Sequence, residues 1–146
     1  MSAFDPNYKP NPVIAKIGQK ILIFNKKNEV LFLQRSEKCT RPHEWDLVGG
    51  GLDIGDSPES GIQREAWEEC QIKIQDIQPV YIHLDQSGEG NKNVLMIGYK
   101  GYTIDEAPTP VLSWEHESYK WVTPEEALQI KLPEFHTQTV IKALAK

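Results

Sequence analysis

Alternating apolar and polar residues predict most of the β-strands in this chain. The alternation runs from Val13 to Phe24 and, after a polar turn, resumes from Val30 to Gln34, a pattern typical of a β-hairpin. Further strands are predicted at Trp45 to Val48, Pro79 to Leu84, Val94 to Tyr102 and Tyr119 to Val122. The stretches between them predict loops over residues 36–43, 85–93 and 105–118.

Helices are predicted where a Ser-Pro or Thr-Pro pair precedes a stretch without alternation. Ser57 and Pro58 supply an N-cap and a proline at the first helical position, and this helix is expected to end near Cys70. Thr123-Pro124 begins a short helix in the same way, and a final amphipathic helix is expected from Phe135 to Leu144. Strands interleaved with helices favour an α/β layered fold.

Composition and charge describe an ordinary globular chain. With 146 residues, of which 39% are hydrophobic and 25% charged, it is expected to fold as a single domain over residues 1–146. Its net charge of −5 argues against a general binder of nucleic acids or membrane surfaces. Cys39 and Cys70 lack metal-ligand spacing, and Cys70 is predicted to be a buried free thiol. No signal peptide or membrane span is recognisable, so the cytoplasm is the expected location.

Three carboxylates of the central helix change this picture. Glu65, Glu68 and Glu69 have the spacing that places side chains on one helical face, in the last two turns, where the helix dipole disfavours negative charge. Two carboxylates about 6 Å apart repel by roughly 3 kcal/mol at an effective dielectric constant near 20. A hard divalent cation such as Mg²⁺ or Mn²⁺, which prefers oxygen ligands, removes the conflict.

The same stretch contains a longer motif. The motif consists of Gly50, five residues, Asp56, seven residues and then Arg64 to Ile72 (REAWEECQI). It closely resembles the Nudix box, the signature of MutT-like nucleoside diphosphate-X pyrophosphohydrolases. In this chain the box spans residues 50–72. Asp56 replaces the usual Glu, and its side chain is shorter by one methylene group. Gln71 replaces the usual Gly and lacks its ease in the left-handed conformation that ends a helix.

The resemblance implies a fold and a set of roles. The implied fold is the Nudix α/β/α sandwich with a mixed central sheet. Glu68 and Glu69 would be the principal ligands of Mg²⁺ or Mn²⁺, and Glu65 would either help to hold the metal or accept a proton from the attacking water. The backbone carbonyl of Gly49 is implied as a further metal ligand. Arg64 would support the catalytic carboxylates.

Two regions outside the box are assigned by the same resemblance. The arginine at the position of Arg35, at the end of the second strand, contacts substrate phosphate in nucleotide-hydrolysing members; a solvated surface residue is the alternative. Glu115, within the sequence WEHE, is the implied late-loop acid that reaches the metal or the water, with Glu117 as its substitute. A solvated loop acid is the alternative there.

Three further residues receive structural interpretations. Gly61 lies one turn before Glu65, where a missing side chain leaves room for the glycine loop to cross or serves helix packing. His83 and His136 are solitary in the sequence and are predicted to be structural.

The function implied is metal-dependent hydrolysis of a diphosphate linkage in a nucleoside diphosphate-X substrate, with a nucleoside triphosphate first in rank. A nucleotide sugar or a dinucleoside polyphosphate is the alternative. A proline about sixteen residues past the box marks ADP-ribose hydrolases, but the neighbourhood here reads Ser87-Gly88-Glu89. The expected partner is a small nucleotide rather than a nucleic acid or a membrane, and the protein is expected to be a monomer or a homodimer.

Two rival functions belong to other classes. An isopentenyl diphosphate isomerase needs a catalytic cysteine near the glycine loop, where this chain has Trp45 to Gly49 without a thiol. A non-catalytic nucleotide sensor with a Nudix-like fold typically loses acids of the box, whereas this chain retains Glu65, Glu68 and Glu69.

Overall fold

The computed structural model describes residues 5–86 and 92–146. Its strands are β1 (Ala15–Phe24), β2 (Val30–Arg35), β3 (Trp45–Asp46), β4 (Ile74–Asp85), β5 (Asn93–Thr103) and β6 (His116–Val122). Its helices are α1 (Pro58–Cys70), α2 (Pro124–Ala127) and α3 (Glu134–Leu144). The three predicted helices are confirmed, and each begins within one residue of its predicted start.

In the described part of the chain, six strands form one mixed sheet. Its order is β3-β2-β1-β5-β4, and β6 pairs with β2 outside this path. The central pair, β1 and β5, is parallel from Ala15 opposite Asn93 to Phe24 opposite Tyr102, and the other pairs are antiparallel. The loop after β3 also lies against β1, through bridges that join Ile21 to Val48 and Gly18 to Gly51.

Helices cover both faces of the sheet. Successive residues of a strand point to opposite faces, so Ile21 and Leu22 belong to different cores. On one face, the side chains of α1 pack against β1 and β2; this cluster includes Ile21, Ile23, Leu31, Leu33, Ile62, Ala66 and Cys70. On the other face, α3 packs on Leu22, Phe24, Val30 and Phe32 through Val140 and Ala143. The predicted α/β/α sandwich with a mixed central sheet is confirmed.

Strand β4 begins earlier than predicted. The predicted start was Pro79, but β4 begins at Ile74. This strand lies at the edge of the sheet, and its pairing with β5 shifts register on both sides of Pro79. An edge position with bulges tolerates the missing N–H group, so the proline lies inside the strand.

The last strand is also longer than predicted. Residues 105–118 were expected to form a loop, yet β6 begins at His116 and pairs with β2 as far as Arg35. The first residues of β6 are polar, and a bulge between Gln34 and Arg35 interrupts the register. The alternation was therefore too weak to reveal this part of the strand.

Some predictions fall partly outside the described residues. The sequence Ser87-Gly88-Glu89 and most of the predicted loop over residues 85–93 lie there. Cys70 is fully buried, as predicted, and burial raises the pKa of its thiol to about 12. No helix within residues 5–86 and 92–146 has the length and apolar character needed to cross a membrane.

Candidate functional site

Helix α1 carries the three carboxylates and is capped at both ends. Ser57 and Ser60 form a reciprocal capping box: the hydroxyl of Ser57 accepts from the N–H of Ser60 at 3.1 Å, and that of Ser60 accepts from the N–H of Ser57 at 2.9 Å. The helix ends at Gln71, whose φ of 54° is left-handed and whose N–H donates to the carbonyl of Trp67. Gln71 thus adopts the conformation for which the family uses glycine.

Glu65 and Glu69 lie together at the face of α1 that meets the glycine loop. Glu69 is only 3% exposed, and its Oε2 accepts the N–H of Gly49 at 2.9 Å. Burial raises the pKa of both carboxyl groups; Lys20 opposes this effect at Glu69, and a hydrogen bond with Glu69 opposes it at Glu65. The two groups form a partly desolvated acidic pair, which favours one proton or one cation between them.

Glu68 is the most exposed of the three carboxylates. Its side chain is 56% exposed and accepts from Nη1 of Arg64 at 3.0 Å, an ion pair between helix positions four apart. The same guanidinium lies 3.2 Å from Oε1 of Glu65. Within residues 5–86 and 92–146, no three His, Cys, Asp or Glu side chains are grouped closely enough to hold a metal ion. Two of the three predicted carboxylates are brought together here, and the third is paired with Arg64.

Asp56, whose role the sequence left open, is the strongest partner of Arg64. Its Oδ2 accepts from Nη2 of Arg64 at 2.9 Å and from the N–H of Asp53 at 3.1 Å. The hydrogen bond from Arg64 lowers the pKa of Asp56, and in return raises the pKa of the guanidinium. Asp56 therefore fixes Arg64, and Arg64 in turn orients Glu65.

Two glycines allow the loop and the helix to approach each other. A Cβ on Gly50 would lie 2.8 Å from the carboxylate atoms of Glu65. A Cβ on Gly61 would lie 2.5 Å from Cδ1 of Leu52, which belongs to the crossing loop. The interpretation that Gly61 leaves room for the loop is confirmed.

The late loop brings a histidine as well as an acid to this site. Glu115 is exposed, and its negative charge contributes to the raised pKa of Glu69. Its backbone carbonyl accepts from the N–H of Ser36 at 2.9 Å and from Sγ of Cys39 at 3.3 Å. Next to it, the buried His116 places Nε2 3.6 Å from Oε1 of Glu69. Burial lowers the pKa of His116 to about 4, so this ring is neutral near pH 7.

Glu117, the substitute for Glu115, is turned elsewhere. Its Oε1 lies 2.6 Å from Nδ1 of His43, in the loop between β2 and β3. The contact raises the pKa of His43 and ties this loop to β6. Of the two acids, Glu115 is therefore the one whose charge acts on Glu69.

A second buried cluster of charges lies on the opposite side of the glycine loop. Asp46 is 1% exposed, and its carboxylate meets Nζ of Lys20 at 3.3 Å, Nη1 of Arg35 at 3.0 Å and Nε2 of His136 at 2.9 Å. Burial alone would raise the pKa of Asp46, but these partners, His136 first, hold it far below its usual range. The sequence indicated that His136 is solitary, but the structure pairs it with Asp46.

Arg35 is partly engaged within the protein. Besides Asp46, it donates from Nε to the carbonyl of Thr40 at 2.6 Å and from Nη2 to Oγ1 of Thr40 at 3.1 Å. A guanidinium has five N–H groups, so these contacts leave two for another acceptor. Its side chain keeps 17% of its surface exposed.

Sequence reasoning missed Lys20, Asp46 and His116, which come from three distant parts of the chain. One signal pointed to the first of them: Gln19 and Lys20 are consecutive polar residues, which interrupt the alternation of apolar and polar positions along β1. Gln19 is fully buried, and its amide donates to the carbonyl of Pro58 and to the hydroxyl of Tyr99. A polar pair buried inside a strand marks a position where something other than core packing is required.

Comparison with known proteins defines the class. Residues 16–143 match the NUDIX domain family. The crystal structure of the MutT protein from Methanosarcina mazei Go1 superposes with a TM-score of 0.67 and 31% sequence identity, over 86% of this chain and 89% of that one. This protein belongs to the Nudix hydrolase family, whose members hydrolyse phosphoric anhydride bonds.

Two curated relatives match shorter segments. The RNA pyrophosphohydrolase of Yersinia enterocolitica is 32% identical over 74 residues, which are 51% of this chain and 36% of the relative. A MutT-like protein of Streptomyces ambofaciens is 27% identical over 70 residues, 48% of this chain and 43% of the relative. The match therefore spans less than half the length of either relative.

Proposed function

We propose that this protein is a divalent-metal-dependent pyrophosphohydrolase acting on nucleoside diphosphate-X substrates, with nucleoside triphosphates first. The observation that carries the proposal is a pair of carboxyl groups on α1, the half-buried Glu65 and the buried Glu69, which meet at the glycine loop. Burial raises the pKa of both groups. Hard oxygen donors held together in this way suit Mg²⁺ or Mn²⁺ better than any other common cofactor.

The chain offers further oxygen donors around this pair. One is the backbone carbonyl of Gly49, the residue whose N–H holds Glu69. The others are two exposed acids: Glu68 is joined to Glu65 through Arg64, and the charge of Glu115 contributes to the raised pKa of Glu69. Glu65, Glu69 and Gly49 would hold the cation, and Glu68 and Glu115 would complete its ligands. Such an ion, when bound, neutralises the diphosphate and acidifies a water molecule.

The remaining roles follow from the contacts of each side chain. Water attacks one phosphorus atom in line, and a carboxylate with a raised pKa, such as that of Glu65, is suited to accept its proton. Arg64, fixed by Asp56, keeps Glu65 in place. Arg35 stabilises the departing phosphate with the two N–H groups that its internal contacts leave.

A substrate screen tests the proposal. Nucleoside triphosphates, nucleotide sugars and dinucleoside polyphosphates would be offered with Mg²⁺ and with Mn²⁺, and phosphate release measured. A short RNA with a 5′-triphosphate belongs in the same screen, because the Yersinia relative is named an RNA pyrophosphohydrolase. The cytoplasmic location and the monomeric or dimeric state stay predictions from the sequence.

A matched pair of variants then tests the site. Glu69→Gln keeps the shape and the hydrogen bond from Gly49 but removes the charge, and we expect turnover to fall about 10³-fold. Glu59→Gln removes one exposed charge from the first turn of the same helix and should leave turnover nearly unchanged. Near-normal turnover by Glu69→Gln would overturn its role. Calorimetric binding of nucleotides without release of phosphate would favour the sensor function instead.

A further inference from the structure

Gly49 lies opposite Lys20 where the glycine loop pairs with β1, at a position that is not hydrogen-bonded to that strand. The carbonyls of its neighbours, Val48 and Gly50, accept from the N–H groups of Ile21 and Gln19, each at 2.8 Å. Gly49 makes neither of these bonds. As at alternate positions of any antiparallel pairing, its own groups face away from β1: the N–H donates to Glu69, and the carbonyl lies 3.3 Å from the ammonium of Lys20.

The ammonium of Lys20 is fully used by this arrangement. It has three N–H groups and three acceptors: Oδ2 of Asp46 at 3.3 Å, the carbonyl of Leu47 at 3.2 Å and the carbonyl of Gly49 at 3.3 Å. The side chain is only 13% exposed. Lys20 therefore has no N–H group left for a substrate phosphate, and it holds two carbonyls of one loop segment.

The position of the Lys20 ammonium is itself fixed by Asp46. Asp46 is a buried carboxylate that also contacts Arg35 and His136, and its Oδ1 accepts the N–H of Leu47 at 2.8 Å. The lysine charge is thus balanced inside the protein. A continuous chain of contacts runs from α3 through Asp46, Lys20 and Gly49 to Glu69 on α1.

We propose that Lys20 is a positioning residue of the cation site: its ammonium fixes the Gly49 carbonyl in the orientation in which the loop offers it, together with Glu69, to a divalent cation. The inference rests on the proposed function. Without the ammonium, the Gly49 carbonyl loses its contact with Lys20, and rotation of this peptide segment disturbs the neighbouring amide that holds Glu69. Positioning partners of this kind typically change metal affinity about 10- to 100-fold.

The test is a Mn²⁺ titration followed by electron paramagnetic resonance, with no substrate present. Lys20→Met keeps the length of the side chain and removes its charge and donors, and we expect the Kd for Mn²⁺ to rise about 10-fold or more. Lys16→Met is the matched control, because this exposed residue lies on the same face of β1 about 13 Å away. Its Kd should stay within about 2-fold of wild type, as expected for a screened surface charge. Lys20→Arg, which keeps charge and donors, should recover part of the loss.

The outcomes separate positioning from general stabilisation. If Lys20→Met lowers the unfolding temperature in EDTA but binds Mn²⁺ as wild type does, or more tightly, the inference is overturned. Asp46→Asn, which leaves Lys20 in place and weakens its anchor, provides a second variant should Lys20→Met fail to fold. An unchanged Kd in Asp46→Asn would likewise overturn it. A folded wild-type protein that binds no Mn²⁺ removes the proposed function and this inference together, whereas wild-type binding with unchanged variants removes the inference alone.

Discussion

At the scale of single residues, the ionisation of Glu69 is opposed by its protein surroundings. Burial and the neighbouring Glu65 both raise its pKa, and Lys20 compensates in part. A group whose pKa is raised by folding binds its proton more tightly in the folded state than in the unfolded one. Its contribution to stability is therefore complete at low pH and is lost as the pH rises from its ordinary pKa, 4.5, toward the raised value.

This argument predicts how Glu69→Gln changes stability. In EDTA, the variant should have a higher unfolding temperature than wild type by a few degrees near pH 8, and the difference should shrink toward pH 4.5. Thermal unfolding followed by circular dichroism measures it. His116, with its pKa lowered to about 4 from 6.5, gives the opposite trend between these two values; because its ring lies 3.6 Å from Glu69, the two proteins are compared above pH 6.5, where the ring is neutral.

Added Mn²⁺ should reverse the order of the two unfolding temperatures, so that wild type becomes more stable than Glu69→Gln. A ligand that binds only the folded state stabilises it by mass action, and wild type keeps the charge that binds the cation. We therefore expect saturating Mn²⁺ to raise the unfolding temperature of wild type more than that of the variant. A pH-independent difference in EDTA would contradict the account of Glu69.

At the scale of elements, the contact between α1 and the glycine loop depends on Gly50. A Cβ there would overlap only the carboxylate end of Glu65, which is a flexible side chain that can move away. Gly50→Ala should therefore fold normally but displace Glu65, lowering kcat about 100-fold, as expected for a displacement of about 1 Å. Gly51→Ala is the control, since its Cβ would meet nothing closer than the carbonyl of Ile17 at 4.0 Å. Equal kcat values for the two variants would contradict the argument.

The other end of α1 offers a gain in stability. Gln71 is exposed and adopts a left-handed conformation that glycine reaches without steric cost. Gln71→Gly should stabilise the protein by about 0.5–1 kcal/mol, or about 2–4 °C in Tm for a chain of this length. Gln71→Asn should give a smaller gain, because asparagine tolerates this region better than most residues. Chemical denaturation measures both; a destabilised Gln71→Gly would show that the Gln71 side chain contributes more than its backbone strain costs.

The elements differ in how much of them the sequence predicts. The start and end of α1 follow from Ser57, Pro58 and the Nudix box, because caps and acidic pairs are local signals. The start of β4 was misplaced, since the effect of Pro79 depends on whether its strand lies at the edge of the sheet. The meeting of Lys20, Asp46 and His116 is harder still, because strand pairing and helix docking place them together and no local pattern encodes it.

At the scale of the whole molecule, α3 is seated directly on the central sheet. A Cβ on Gly98 in β5 would overlap the side chain of Thr139 in α3. Gly98→Ala should destabilise the protein by about 1–3 kcal/mol, the usual cost of overpacking. Gly98→Ala combined with Thr139→Ala should recover part of this loss, and a double-mutant cycle of unfolding free energies measures the coupling. Strict additivity would mean that the two residues do not limit the approach of the helix.

The parallel pairing of β1 with β5 also constrains how the chain is assembled. It joins Ala15 to Asn93, a separation of 93 − 15 = 78 residues, and it forms the centre of the sheet. A nascent chain that has not yet emerged as far as Asn93 leaves one whole side of β1 without its neighbour. Closing so large a loop costs conformational entropy before the strands gain any contact, and folding is therefore slow. Until synthesis passes that point, the apolar strand Ile21–Phe24 is an open edge, which is a hazard for aggregation on the ribosome.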